Sequence, residues 1–547
     1  AFSQWLNPSA GTRRPLGALC PASAPPVGRP QQPGGAGSAA AVGWVAALCA
    51  LAPLCASAQQ SLVRPSAVRP AAIEANWTAV KMPDGGRTAF ASLSYLMAVN
   101  DDWGFGPGVY GTAKGNYGGI FTAGFTAQRR WRLGANTHLA TSLYVGAGGG
   151  LSSSELRFGG GLMLRPEISL RTEQGAWYSG ISLAQIRFPG GNVKGTAVGF
   201  SLGRSTDFGS FSPLDAGRRG ASSARTGLGI DEIAFTATMA RPRAGLLRRE
   251  GSPLVGTLGF AGADLRQYIA DGSWWGVEAS GAAKGGVDGY MEVLGQIGQD
   301  WQLAKGALGQ LRAGGQLAGG LGGGGGVNTG SGWLLRAGPS LRWVTPWGAS
   351  LRLEGGATRS YSGTYQVNFW RAALSMPLDR TPATGFNGQG DDGMGTVREQ
   401  QLGLSTLVLP RVRFKDGRRE TVGELAVSMR RELSDRTYGV AYAGSAAKGS
   451  AGAYSFGLFG AGVQSRPLTP SGKLRVGAEA LVGAAGGGGV QVGGGAVMQA
   501  EAWAEWRLDE RLRLRGGAGQ WRTLRSHDQR SALLHLNLSY AYGSLQR

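Results

Sequence analysis

Residues able to do chemistry are few in this chain. It carries three histidines, His138, His527 and His535, and three cysteines, Cys20, Cys49 and Cys55, all of the latter within the first 55 of 547 residues. Ser526-His527-Asp528 holds the residue types of a nucleophile, a base and an orienting acid. Adjacent residues on an extended segment point apart, however, and such triads assemble from distant parts of a fold, so the run reads as a polar loop. Gly106-Pro-Gly-Val-Tyr-Gly111 fits G-x-G-x-x-G but opens no helix, and none of the glycine clusters is followed by Gly-Lys-Ser/Thr, so neither a dinucleotide nor a phosphate cradle is indicated. No catalytic residue, no metal ligand and no cofactor site is expected, and the chain reads as a non-enzyme.

What remains is charge. Lys and Arg number 55 against 34 acids, a net charge of +21, which calls for partners of opposite sign. Candidates are lipopolysaccharide phosphates, an acidic polysaccharide and small anions, with nucleic acid not expected. Lys114, Lys284 and Lys448 each follow an alanine and precede a glycine in related contexts. About a common axis they would form a ring selecting anions; standing alone they would be solvated lysines at strand ends. Arg342, Arg352, Arg511, Arg513 and Arg515 fall in strand-like segments, and arginine facing lipid at mid-membrane costs roughly 2–4 kcal/mol, so they are expected in a lumen or near a rim. Trp103, Trp131, Trp177, Trp274, Trp301, Trp343, Trp506, Tyr540 and Tyr542 are candidate interfacial aromatics, or core residues of a soluble sandwich.

The elements that would position these side chains are strands. Glycine makes up 97 residues, and each interior glycine costs a helix roughly 1 kcal/mol relative to alanine. Past the first 58 residues no run of 18 apolar residues exists, so any crossing of a membrane falls to strands. Val42 to Ala58 is apolar, interrupted by proline, and ends Ala56-Ser57-Ala58, the pattern of a signal peptide cut before Gln59. A lipoprotein signal fits less well, because Leu48 and Leu54 precede Cys49 and Cys55 where a small residue is expected. Residues 1–40 read as an upstream leader.

Three landmarks recur together. An Ala-Lys-Gly strand end appears at Lys114, Lys284 and Lys448, and each is followed by an apolar strand that runs into glycines: Leu143 to Gly150, Gln316 to Gly326 and Ala480 to Gly489. Such a period implies copies of one unit. The division expected is a leader with signal at 1–58, copies at 59–204, 229–375 and 398–547, and loops at 205–228 and 376–397. Within a copy the period is two. Ile73, Ala75, Trp77 and Ala79 alternate with polar residues, and Leu512 and Leu514 alternate with Arg511, Arg513 and Arg515. About eight strands per copy, roughly 24 in all, follow from the spacing.

With its signal-like leader, this alternation and the last strand His535-Leu-Asn-Leu-Ser-Tyr-Ala-Tyr542, residues 59–547 resemble the bacterial outer-membrane β-barrel proteins as a broad class. The resemblance implies an all-β transmembrane fold in the outer membrane, lipid and lipopolysaccharide around it, and the outer-membrane assembly machinery as a partner reading that last strand. Two closures are open. One is a single barrel of about 24 strands whose wide basic lumen passes a solute or polymer, possibly anionic; the other is three tandem eight-stranded barrels with a structural or binding role. A secreted β-rich adhesin is a third reading.

Overall fold

The computed structural model describes residues 62–150, 156–222, 224–378, 393–525 and 529–546. The expected signal peptide, the three cysteines and Ser526-His527-Asp528 lie outside them. The first copy supplies β1 (Ala67–Lys81), β2 (Arg87–Ala98), β3 (Trp103–Thr112), β4 (Phe121–Arg132), β5 (Thr137–Gly149), β6 (Leu162–Gln174), β7 (Trp177–Arg187) and β8 (Lys194–Ser210). A short strand, β9 (Arg219–Ala221), lies between copies. The second copy supplies β10 (Glu232–Pro242), β11 (Leu258–Tyr268), β12 (Ser273–Lys284), β13 (Met291–Gly306), β14 (Gly309–Gly323), β15 (Trp333–Val344), β16 (Ser350–Ser360) and β17 (Gln366–Pro377). The third supplies β18 (Met394–Arg413), β19 (Arg419–Glu432), β20 (Thr437–Lys448), β21 (Ser455–Gln464), β22 (Leu474–Gly486), β23 (Ala496–Arg507), β24 (Leu512–Thr523) and β25 (Arg530–Gln546).

Each copy closes on itself, its first and last strands pairing antiparallel: β1 with β8, β10 with β17 and β18 with β25. Of the two closures left open by the sequence, the chain takes three tandem eight-stranded barrels and not one 24-stranded ring. Eight strands enclose a width that side chains can fill, and closure leaves no edge. Closure also lengthens the outer strands, so the expected loops are shorter than drawn: β8 continues to Ser210, β17 to Pro377, and β18 begins at Met394. Inside the first loop segment β9 pairs with Met394–Thr396 of β18, tying the region between the first two barrels to the third.

Every barrel starts its first strand and ends its last at one end, called proximal here; the Ala-Lys-Gly turns and glycine clusters sit at the other, distal end. Distal loops contact the next barrel head to tail. Gly118 N donates to Gly330 O at 3.0 Å, and Trp333 Nε1 to Ala113 O at 2.9 Å, joining the first barrel to the second. A Cβ on Gly289 would lie 2.7 Å from Gly487 N, joining second to third, and one on Gly160 would lie 2.8 Å from Lys448 Cα, joining third to first. The same approach recurs three times: a glycine, Gly332, Gly495 or Gly161, presses on the carbonyl two residues before the landmark lysine, at Thr112, Ala282 or Ala446. Three like, head-to-tail contacts close a ring. The glycine clusters are therefore close-approach sites between barrels.

Candidate functional site

Alternation puts polar side chains inside each barrel and aliphatic ones outside. In the first barrel Arg171 on β6 reaches Glu74 on β1 at 2.5 Å, while Arg165 holds Glu167 at 2.5 Å and Tyr110 OH at 3.2 Å. Tyr178 OH donates to Glu74 at 2.8 Å. In the second barrel all eight strands contribute. Arg371 meets Glu278 at 2.5 Å, Asp264 at 3.0 Å and Glu354 at 3.4 Å; Arg336 bridges Glu278 and Glu292; Arg342 meets Glu232 at 2.6 Å; Arg352 meets Asp264 and Glu354; Gln316 donates to Glu354 at 2.9 Å. In the third, Arg515 meets Glu505 at 3.0 Å and Glu479 at 3.3 Å, Arg430 meets Glu505 at 3.1 Å, and Arg513 meets Glu399 at 3.2 Å.

Arg342, Arg352, Arg513 and Arg515 thus point into lumens as their alternation demanded, but the lumens are not basic. Every one of these guanidinium groups is neutralised: in the second barrel Arg266, Arg312, Arg336, Arg342, Arg352 and Arg371 are buried with Glu232, Asp264, Glu278, Glu292, Asp300 and Glu354. Desolvating a charge costs several kcal/mol, so a lumen packed with side chains keeps an arginine only beside an acid. The acids that do this are scattered singly through the sequence, and only strand register reveals their partners.

Other candidates are relocated. Arg511 is half-buried at the proximal turn, where it donates to Tyr540 OH at 3.2 Å and Ser210 Oγ at 3.3 Å; it joins barrels and lines no lumen. Lys114, Lys284 and Lys448 are exposed at strand ends, one at each of the three head-to-tail contacts, and none is in a lumen. Trp274 points inward under Arg266, whose guanidinium carbon lies 3.5 Å from the ring centroid. Tyr540 and Tyr542 face outward but pack on Phe105 and Phe208 of the first barrel, so they are contacts between barrels and not interfacial aromatics. The other six tryptophans, Trp103, Trp131, Trp177, Trp301, Trp343 and Trp506, face outward near the proximal end.

The outer surface has the dimensions of a membrane belt. On β15, exposed Leu335 and Leu341 lie between Trp343, which faces out at the proximal end, and Trp333, whose indole is held at the first barrel. The ten residues of strand from 333 to 343 rise roughly 33 Å, or about 25 Å along a barrel axis from which the strand tilts by some 40°, the height of a membrane's apolar band. Ile181, Leu183, Val198 and Leu202 of the first barrel, and Leu534, Leu536 and Leu538 of the third, are equally bare.

Two features could do more than hold the fold. The first was not legible from the neighbouring triad residues in the sequence: His535 Nδ1 lies 2.8 Å from Glu501 Oε1 and its Nε2 lies 3.0 Å from Ser405 Oγ, with Asn537 Nδ2 donating to that hydroxyl at 2.9 Å. This has the connectivity of a catalytic triad, but Ser405 is 0% exposed and His535 4%, so no reacting carbonyl reaches the hydroxyl. The set satisfies a buried histidine. The second is a cavity of about 340 Å³ where the barrels meet, lined among others by Pro107, Ala263, Val277, Leu402, Val427 and Phe459. Its walls are the outward faces of three barrels and overwhelmingly apolar. Such walls favour an apolar occupant.

No protein-family model matches the chain, and no curated protein matches it. Solved structures similar to it are bacterial outer-membrane β-barrel proteins. One is a mutant of the ferric enterobactin receptor PfeA of Pseudomonas aeruginosa in complex with enterobactin, at 10% identity and a TM-score of 0.27, over 88% of this chain and 82% of that one. Another is OccK2 (OpdF) of Pseudomonas aeruginosa in complex with glucuronate, at 10% identity and a TM-score of 0.21, over 87% and 98%. OpdK of the same organism follows at 8% identity and a TM-score of 0.21, over 87% and 98%. Likeness at this level carries none of their ligands to this chain.

Proposed function

We propose that the chain is an integral protein of the bacterial outer membrane, exported by a signal peptide, in which three small barrels form one non-conducting body with a structural or binding role. The observation that carries this reading is the pairing of every lumen: ion pairs run from β1 to β6 in the first barrel and link all eight strands of the second, leaving solutes no aqueous path through them. The bare leucines of the outward faces, with tryptophans at the proximal end, support membrane insertion. Short proximal turns such as that between Gln174 and Trp177, against longer distal loops such as that between Pro242 and Leu258, support a periplasmic proximal end. Binding, in this reading, falls to the apolar cavity between barrels. Planar-bilayer recording tests it: purified protein gives no stepwise conductance, and a large, anion-preferring step would overturn the reading in favour of a pore.

A further inference from the structure

The distal hairpins carry a feature that barrel closure does not need. In four of them the residues that end the ladder are cations set directly opposite one another: Lys81 with Arg87, Arg187 with Lys194, Arg413 with Arg419, and Arg522 with Arg530. Like charges directly opposite destabilise a strand pair, and at a hairpin end a neutral residue would remove the cost. Yet all eight are exposed. Among the described residues no carboxylate lies within 4.0 Å of Lys81, Arg87, Arg187, Lys194, Arg413 or Arg419.

Their depth is also specific. Along the outward face of β1 the order is Ile73, Ala75, Trp77, Ala79, Lys81, which passes from aliphatic to aromatic to cation toward the distal end. Along β8 it is Leu202, Phe200, Val198, Thr196, Lys194. This is the sequence of environments met on leaving hydrocarbon for head groups. At the proximal end the opposed arginines Arg507 and Arg513 sit on the inward face, where Arg513 meets Glu399, and the outward positions carry tryptophan instead.

We infer that the three pairs Lys81–Arg87, Arg187–Lys194 and Arg413–Arg419 bind the phosphates of phosphorylated glycolipid head groups in the leaflet around the distal end, each pair straddling one phosphate. A phosphate offers several acceptor oxygens to two cations set side by side, turning a repulsive pair into a charge-assisted bridge. The inference rests on the membrane reading above, and committing to lipid follows from the cations lying on the outward face, in line with the aromatic level.

The test is native mass spectrometry of the detergent-solubilised protein titrated with bisphosphorylated lipid A, with the same lipid stripped of phosphate, and with inorganic polyphosphate. The variant changes Lys81, Arg87, Arg187, Lys194, Arg413 and Arg419 to Gln. Wild type retains the phosphorylated lipid and the variant binds it at least about tenfold more weakly, while in lipid-free detergent the variant melts no lower than wild type because repulsion has been removed. Equal binding by the variant, or equal binding of the stripped lipid, overturns the inference. Full competition by polyphosphate at equal phosphate would assign the sites to a soluble polyanion and overturn it too. Heat-modifiable migration of the same samples reports the barrels separately, so loss of the membrane reading would not be confused with loss of this one.

Discussion

Replacing Arg336 by Met examines whether the lumen networks hold the barrels shut. Arg336 is buried between Glu278 and Glu292, which come from neighbouring strands. Glu278 keeps Arg371 at 2.5 Å, whereas Glu292 keeps only the neutral donors Ser280 at 3.0 Å and Tyr290 at 3.2 Å. Removing one partner of a buried pair costs about 3–5 kcal/mol, because the charge left behind is desolvated and unpaired. At about 1.4 kcal/mol per factor of ten, the ratio of folded to unfolded protein falls by roughly two to three and a half orders of magnitude. In urea the midpoint falls by on the order of 1–2 M, read as conversion of the compact band to the extended one on a denaturing gel run without boiling. A companion carrying both Arg336→Met and Glu292→Gln, which removes the orphaned charge, regains more than half of the loss. If Arg336→Met unfolds within 0.5 kcal/mol of wild type, or the companion is no better, the lumens are wet and the case for sealed barrels collapses.

Other outcomes follow from the same geometry. Gly119→Val places a side chain where its Cβ would overlap Gly324 N, at a φ of +102°, so it loosens the contact between the first two barrels by roughly 1–3 kcal/mol while each barrel stays folded, seen as new proteolytic cleavage between barrels without loss of the compact band. In single-tryptophan variants, lipids brominated near the head group quench Trp343 strongly and leave Trp274, under Arg266 inside the second barrel, bright; equal quenching would contradict the inward placement. Asp509 accepts from the amides of Arg511 at 2.7 Å and Leu512 at 2.8 Å, and these bonds hold its carboxyl below the usual range. Its contribution is therefore present above about pH 4 and lost as pH falls through the depressed value, so the protection of those two amides, their exchange rate set against the intrinsic rate at the same pH, drops on acidification in wild type and is already low, without that pH dependence, in Asp509→Asn.

Strands, their alternation and a count of about eight to each third of the chain were readable because each rests on local spacing: Leu512 and Leu514 against Arg513 and Arg515 state both faces of β24. Closure was not readable, since pairing β1 with β8 or with a neighbour's strand uses the same alternation, and only register such as Ala71 with Thr206 decides it. Lumen polarity was misjudged for a related reason. Net charge is a sum over the chain, whereas Arg342 finds Glu232 from 110 residues away across the barrel. Tyr540 and Tyr542 read as membrane aromatics because nothing in a strand's own sequence says that another barrel covers it. That the glycine clusters are no phosphate cradles was legible, but nothing in them says that a second barrel's backbone lies against them.

The strand Arg219–Ala221 has an implication for assembly. It is synthesised before the second barrel, yet the backbone it bonds to, Met394–Thr396, belongs to the third. Val63, ahead of the first barrel, in turn bonds to Arg219 and Ala221. The edge of Arg219–Ala221 that faces Met394–Thr396 stays unmatched until the third barrel has formed, so the segment after the first barrel keeps an open seam that the final one fastens. Chains truncated before residue 394 should consequently remain susceptible to protease at that seam, however well their own cylinders have formed.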